Sequence, residues 1–311
     1  MTRIVCVVLV ALSASMPFSA QKGRRVAITI DDLPTTRTHD IEQTERVTRD
    51  LVAALVRHKV PAIGFVNEAK LQANGALDPR RVALLQRWID AGLDLGNHTY
   101  SHPDLHTTPI EEFERNVVAG EKVTRELLRK AGKEIRYFRH PFLHTGRDRE
   151  TRDRLQQFLH ARGYRVAPVS IDNGEYIFAA AYDRAREEDR PKIAAAYLDY
   201  MERVVAFYEQ QSVAIVGREI AQTLLIHANT LNAATFDELA GMLRRRGYAF
   251  VSLDEALNDP AYQSADSYFG PGGITWLHRW AMTAGMPSST FKGEPAVPDW
   301  VERAAKIPGA P

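Results

Sequence analysis

The sequence predicts a parallel α/β fold, on three observations. Short apolar runs alternate with longer amphipathic stretches from residue 24 onward. The strand–helix order holds to residue 252. Nearly every apolar run ends in a polar, chemically capable residue. Such alternation can close into a barrel or stay an open sheet, and in either case the chemistry collects at the C-terminal ends of the strands.

In chain order, Arg25–Ile30 is a strand leading into Asp31-Asp32. Ile41–His58 has Val47, Leu51, Ala54 and Leu55 on one face at helical spacing. Ala62–Val66 is a second strand after Pro61, and Arg80–Ala91 a helix stopped by Gly92. Leu93–Gly96 runs straight into Asn97-His98. Ile110–Lys130 reads as one long amphipathic helix, and Arg136–Arg139 as a strand that ends before Pro141. Arg149–Arg162 is a helix closed by Gly163, followed by the strand Arg165–Ser170 and then Asp172. Residues 178–217 interrupt the rhythm as a helical insertion whose charged faces are most simply solvated. Thr223–Ile226 ends at His227, Thr235–Arg246 is a helix closed by Gly247, and Ala249–Ser252 is the last strand. Beyond Pro260, Trp276, Trp280 and Trp300 stand among glycines and prolines, as in an extension packed irregularly on the main body.

Composition narrows the chemistry. The 40 Lys+Arg balance 39 Asp+Glu, so no basic surplus points to nucleic acid. At the N-terminus, Arg3, the apolar run Ile4–Leu12 and the Ser19-Ala20 exit read as a secretory leader, too short to span a bilayer. Export is therefore expected, without stable membrane insertion. The single cysteine, Cys6, falls in that leader, so disulfides, thiol nucleophiles and thiolate metal sites are excluded from the mature chain. Catalysis must come from carboxylates, imidazoles, hydroxyls or a metal they hold.

The residues able to do this sit at strand ends. Adjacent Asp31 and Asp32 point in different directions, so one can bind a metal while the other handles protons, although an Asp pair is also an ordinary turn or cap. His98 and His102, four apart, would share one face of a helix and reach a single divalent ion; a lone pair of this spacing is as often two unrelated surface histidines. His106, one turn further on, would lie too far away to share that ion. Two histidines plus a carboxylate leave coordination positions open, as catalytic sites do, and suit zinc, with cobalt, nickel, manganese and iron also open. Arg139 can hold a carboxylate ionised or make a structural ion pair. His140 and His144 flank it without an assigned role. His227 ends an apolar strand, where a lone histidine is commonly structural.

Together, and in order, these segments resemble the polysaccharide deacetylase family, the NodB-type carbohydrate esterases, over about residues 25–255. Thr29-Ile30-Asp31-Asp32-Leu33-Pro34 resembles its first motif, T-F-D-D-G-P. His98-Thr99-Tyr100-Ser101-His102 fits H-[ST]-x-x-H, and Arg139-His140-Pro141-Phe142 fits R-x-P-[FY]. Asp172-Asn173-Gly174-Glu175-Tyr176 resembles D-x-x-D-W, and Leu225-Ile226-His227 fits L-x-H. The resemblance implies a distorted (β/α) barrel over residues 21–260, with the 178–217 insertion and a 261–311 extension. It implies Asp31 as general base, Asp32, His98 and His102 as ligands of a divalent metal, zinc first, Arg139 as the partner of Asp31, and His227 as general acid. Tyr176 would line the sugar pocket, with Asp172 and Glu175 from the same motif, and the backbone around Phe142 would stabilise the oxyanion. Leu33 in place of glycine would narrow the mouth of the site. Glu175 and Tyr176, in place of aspartate and tryptophan, put Arg139's second carboxylate contact and the substrate wall at issue. The implied activity is metal-dependent removal of acetyl groups from a carbohydrate, first as an N-deacetylase of amino sugars. An O-acetyl esterase or a non-sugar amidase would use the same residues, and an inactive carbohydrate-binding protein is the reading from a different class.

Overall fold

The computed structural model describes residues 23–36 and 40–307; the expected leader and Cys6 lie outside them. Strands β1 (Arg24–Leu33), β2 (Ile63–Val66), β5 (Asp94–Asn97), β6 (Tyr137–Phe138), β7 (Arg165–Val166), β8 (Gln222–His227) and β9 (Tyr248–Phe250) form one sheet. A separate hairpin pairs β3 (Gln72–Ala73) with β4 (Ala76–Leu77). The sheet runs β7-β6-β5-β2-β1-β8, with β9 on the start of β1, and every pairing is parallel.

The choice left open by periodicity is settled by one contact. Past β7 the chain reaches Ile171, which pairs in parallel with Leu224 of β8, so the two ends of the sheet meet. The result is a small, distorted (β/α) barrel. Its distortion is concentrated at the seam: only Arg165 and Val166 of the predicted strand 165–170 join the ladder to β6.

Side-chain alternation along β1 separates two apolar regions, because successive residues of a strand face opposite sides. Val26, Ile28 and Ile30 face outward into the large cluster shared with the helices. Ala27 faces inward, with Ile63, Phe65, Tyr137, Ala167 and Ala221, and these plug the bottom of the barrel. The plug leaves the C-terminal mouth to polar groups.

The helical layer consists of α1 (Ile41–Arg57), α2 (Pro79–Asp90), α3 (Ile110–Ala119), α4 (Lys122–Lys130), α5 (Arg149–Ala161), α6 (Glu175–Arg184), α7 (Arg190–Val216) and α8 (Thr230–Arg245). Asp40 caps α1 by accepting from the N–H groups of Glu42 and Gln43. The single helix expected over 110–130 is two, broken at Gly120. A Cβ there would stand 2.3 Å from the carbonyl carbon of Thr99 and 2.5 Å from the nitrogen of Tyr100. The break lets the loop after β5 pass against the helix. Helix α7 also differs from a solvated insertion: it buries Ile193, Tyr197, Tyr200, Met201, Val204, Val205, Phe207 and Tyr208 against its neighbours.

After β9 come the short α9 (Leu253–Ala256), then α10 (Trp276–Thr283) and α11 (Asp299–Ala305). Helix α11 lies on α6, where Val297 fills the space a Cβ on Gly174 would need, at 2.4 Å. Gly273 passes so close to the Phe142 carbonyl that its own Cβ would overlap it at 1.7 Å. The extension thereby reaches two of the loops at the barrel mouth.

Candidate active site

At the mouth, a cleft of about 700 Å³ is lined by Asp31, Asp32, His98, His102, Phe142, Asp172, Tyr176 and His227, among others. Seven chain segments meet there, and the local conformation of each is specific. Five of the eight non-glycine residues with positive φ among the described residues belong to this mouth: Asp32, Thr99, His102, Phe142 and Leu143. Left-handed backbone costs such residues about 1–3 kcal/mol each and persists only where the surroundings enforce it.

Strand β1 shows why this matters. Regular alternation would send Asp31 and Asp32 to opposite faces. The register with β2 shifts between Ile30 and Leu33, and Asp32 turns to φ 70°, so both carboxylates line the cleft. Leu33 turns away. It is fully buried, fills the space above Gly64, and does not narrow the mouth as its replacement of glycine suggested.

His98 and His102 do not share a helix. The chain from 98 to 109 is a loop, and left-handed Thr99 and His102 bring the rings together, with centroids 4.7 Å apart. Asn116 on α3 secures that loop: its side-chain oxygen accepts from the N–H groups of Tyr100 and Ser101 at 2.8 and 3.0 Å. One ligand atom each from Asp32, His98 and His102 falls within 4.8 Å of the others. The donor set fits a divalent metal. His98 donates from Nδ1 to the Arg139 carbonyl at 2.9 Å, which leaves Nε2 as a lone-pair donor. Burial first, then the neighbouring His102, holds the His98 pKa well below its ordinary value, and burial lowers that of His102 too, so both rings are neutral. Burial would raise the Asp32 pKa, but nearby positive charge, Lys70 first and His227 with it, outweighs it and keeps the carboxylate ionised.

Asp31 sits between the Arg139 guanidinium and the neutral His98 ring. Its Oδ2 is 3.8 Å from Arg139 Nη1 and 3.7 Å from His98 Nε2, while its Oδ1 is buried with no hydrogen-bond partner. Burial raises its pKa to about 6 against the pull of Arg139 and His227. Arg139 is fully buried, stacked over Phe65 at 4.8 Å, and donates to Thr29 Oγ1 at 2.8 Å. Phe65, part of the apolar plug, is thus the platform on which the guanidinium rests.

His227 pairs in register with Asp31 across β1 and β8. Its Nδ1 lies 2.8 Å from Glu175 Oε2, and Glu175 in turn accepts from Asn229 and Asn232. Burial alone would lower the His227 pKa; the Glu175 hydrogen bond and the charges of Glu175, Asp32 and Asp31 reverse that and raise it to about 9. Glu175 is therefore neither a wall of the pocket nor a contact of Arg139. It is 1% exposed, and the extra methylene relative to aspartate carries its carboxylate behind His227. After Asp31, Asp172 is the carboxylate whose charge acts on Arg139. It lines the cleft with Tyr176, and burial raises its pKa to about 6.

Phe142 stands at the rim, 54% exposed, its ring 4.6 Å from His102. The turn around it closes through Leu143 N–H to His140 and His144 N–H to Pro141, so the Phe142 N–H takes no part in those bonds. The resemblance did not single out Lys70, whose Nζ is 3.1 Å from Asp32 Oδ1, or Gly273 and Ile307, which reach the cleft from the extension. Nothing in the spacing of these residues ties them to the motifs.

Residues 19–165 match the family model described as polysaccharide deacetylase. A chitooligosaccharide deacetylase from Sinorhizobium fredii is 28% identical over 128 residues, 41% of this chain and 51% of that protein, so the chain spans about half the length of this curated relative. Among solved structures, a family 4 carbohydrate esterase from Streptomyces lividans has 18% identity and a TM-score of 0.47 over 76% of this chain and 97% of its own. The peptidoglycan deacetylase PdaC from Bacillus subtilis has 21% identity and a TM-score of 0.47 over 76% and 92%. A family 4 pseudoenzyme from Bacillus anthracis has 18% identity and a TM-score of 0.46 over 76% and 66%. These structural likenesses are too low to carry weight. The domain match does carry weight: residues 19–165 are similar to the polysaccharide deacetylase family, and five motif segments of that family converge here on one cleft.

Proposed function

We propose that this chain is a metal-dependent deacetylase that hydrolyses the N-acetyl group of an amino-sugar glycan. One observation carries the reading: an ionised Asp32 with two neutral imidazoles, an unpartnered Asp31 oxygen and a carboxylate-paired His227 share one cleft. When bound at Asp32, His98 and His102, a divalent metal of the zinc class would acidify water and polarise the acetyl carbonyl.

The chain's own groups supply the rest. Asp31 Oδ1 takes the proton of the attacking water, and Arg139 holds the carboxylate in place. The Phe142 N–H, outside the bonds that close its turn, would donate to the oxygen that gains charge. His227 gives a proton to the departing sugar nitrogen, so acetate and a free amine result. An amine leaves poorly without that proton, and a His227 pKa raised to about 9 keeps it available; this favours the amide over an O-acetyl ester. Tyr176 and Ile307 wall the side of the cleft where a sugar ring would rest.

Acetate release tests the reading. N-acetylated chito-oligomers should be cleaved in preference to acetylated xylan, chelation should abolish release, and added zinc should restore it. Full turnover in chelator would refute the metal dependence, and glycan binding without any acetate release would make the chain a binding protein. We also propose export, on the apolar run Ile4–Leu12; a mature N-terminus near Gln21 on protein recovered outside the cytoplasm is the expected outcome.

A further inference from the structure

A second cluster of side chains lies beside the catalytic centre and takes no part in the chemistry above. Asp104, His106 and His144 bring a carboxylate oxygen and two imidazole nitrogens within 4.8 Å of one another. Asp104 and His106 follow His102 on the ligand loop; His144 follows Phe142 on a second loop of the mouth. The His106 and His144 rings stack with centroids 3.8 Å apart and planes within 7°. Asp104 Oδ1 lies 2.6 Å from His144 Nδ1 and accepts from the His106 N–H at 2.8 Å.

The cluster is not complete as it stands. Both ring nitrogens of His106 are buried, and neither makes a hydrogen bond of good geometry, although the Pro271 carbonyl is close. A buried nitrogen left so forfeits the hydrogen bonds that water would have given it. Burial, then His144, lowers the His106 pKa, so its ring is a neutral donor with a free lone pair. Two imidazoles and one carboxylate are a transition-metal donor set, and the soft χ2 torsion of histidine lets stacked rings turn their lone pairs toward a common point.

We propose that Asp104, His106 and His144 bind a second divalent ion of the zinc class, which ties the loop carrying His102 to the loop carrying Phe142. Both loops line the catalytic cleft, and Cys6 is the only cysteine, so no disulfide can join them. With three protein ligands, the fourth position falls to water. The site shares no ligand with Asp32, His98 and His102, so it stands or fails independently of the proposed activity.

Counting zinc tests it. Full-length protein equilibrated with micromolar zinc and desalted should carry two ions per chain by elemental analysis. His106→Gln should carry one and retain acetate release, His98→Gln/His102→Gln should carry one, and the triple variant none. In the His98→Gln/His102→Gln background, zinc should raise the melting temperature, and adding His106→Gln should remove that rise. His144→Gln replaces His106→Gln should the latter fail to fold by circular dichroism. No ion on folded His98→Gln/His102→Gln, or an undiminished count in both His106→Gln and His144→Gln, overturns the proposal; a single wild-type ion that persists in His98→Gln/His102→Gln supports it and refutes the catalytic metal instead.

Discussion

Asp31 must give up hydration to reach its position, and its neighbours decide whether it can still act as a base. Burial pushes its pKa up to about 6 while Arg139 and His227 restrain the rise, so the carboxylate is available at neutral pH. Asp31→Asn keeps the shape and removes the proton acceptor. Turnover should fall by about 10²- to 10⁴-fold with zinc content unchanged, and retained turnover would remove Asp31 from the role of base. Glu175 sets the other limb of the pH profile. A histidine whose pKa is raised stays protonated up to that value, so the acid form of His227 lasts to about pH 9 and is lost above it. Glu175→Gln removes the largest raising influence, so the alkaline fall in kcat/KM should move toward pH 7; an unmoved limb would assign it to another group. The sign for stability is the same: the His227–Glu175 pair stabilises the fold below the ordinary histidine pKa and ceases to as pH rises through about 9.

At the scale of elements, the ligand loop depends on a helix break. Gly120 separates α3 from α4 and leaves room for Thr99 and Tyr100, both backbone atoms that cannot swing aside. Gly120→Ala should destabilise the protein by about 1–3 kcal/mol and weaken zinc binding, read by urea unfolding and by titration with the metal. Unchanged affinity would show that the loop tolerates displacement. This dependence also marks how far the sequence could be read. The strand-end placement of Asp31, His98, Arg139 and His227 follows from hydrophobic patterning, and their order along the chain matches the family motifs. The shared helix for His98 and His102 was wrong because i,i+4 spacing also suits a loop with two left-handed residues, and those conformations leave no periodic trace. Glu175 was misplaced for a related reason: the motif fixes its position in sequence, but one methylene decides which neighbour its carboxylate reaches.

The whole molecule closes through few contacts. The seam between Ile171 and Leu224 joins sheet ends that periodicity could not show to meet. The extension beyond residue 260 adds a further buttress, with Leu277 and Val301 wholly buried in the same apolar cluster as the barrel helices. Barrel and extension should therefore unfold together. Leu277→Ala should lower the stability of one cooperative transition by about 2–5 kcal/mol, whereas two transitions with only one displaced would make the extension a separate unit.

The left-handed turn at Asp32 restricts which residues can ever stand there. The position is filtered twice, by coordination chemistry, which asks for a donor side chain, and by backbone geometry, which disfavours branched or bulky ones. Aspartate and asparagine pass the second filter, and of these only aspartate brings negative charge to a cation. Glutamate, a conservative exchange at most carboxylate sites, would meet the first demand and strain against the second. Mutational tolerance at this one position should accordingly be narrower than at His98, where the backbone imposes no such test.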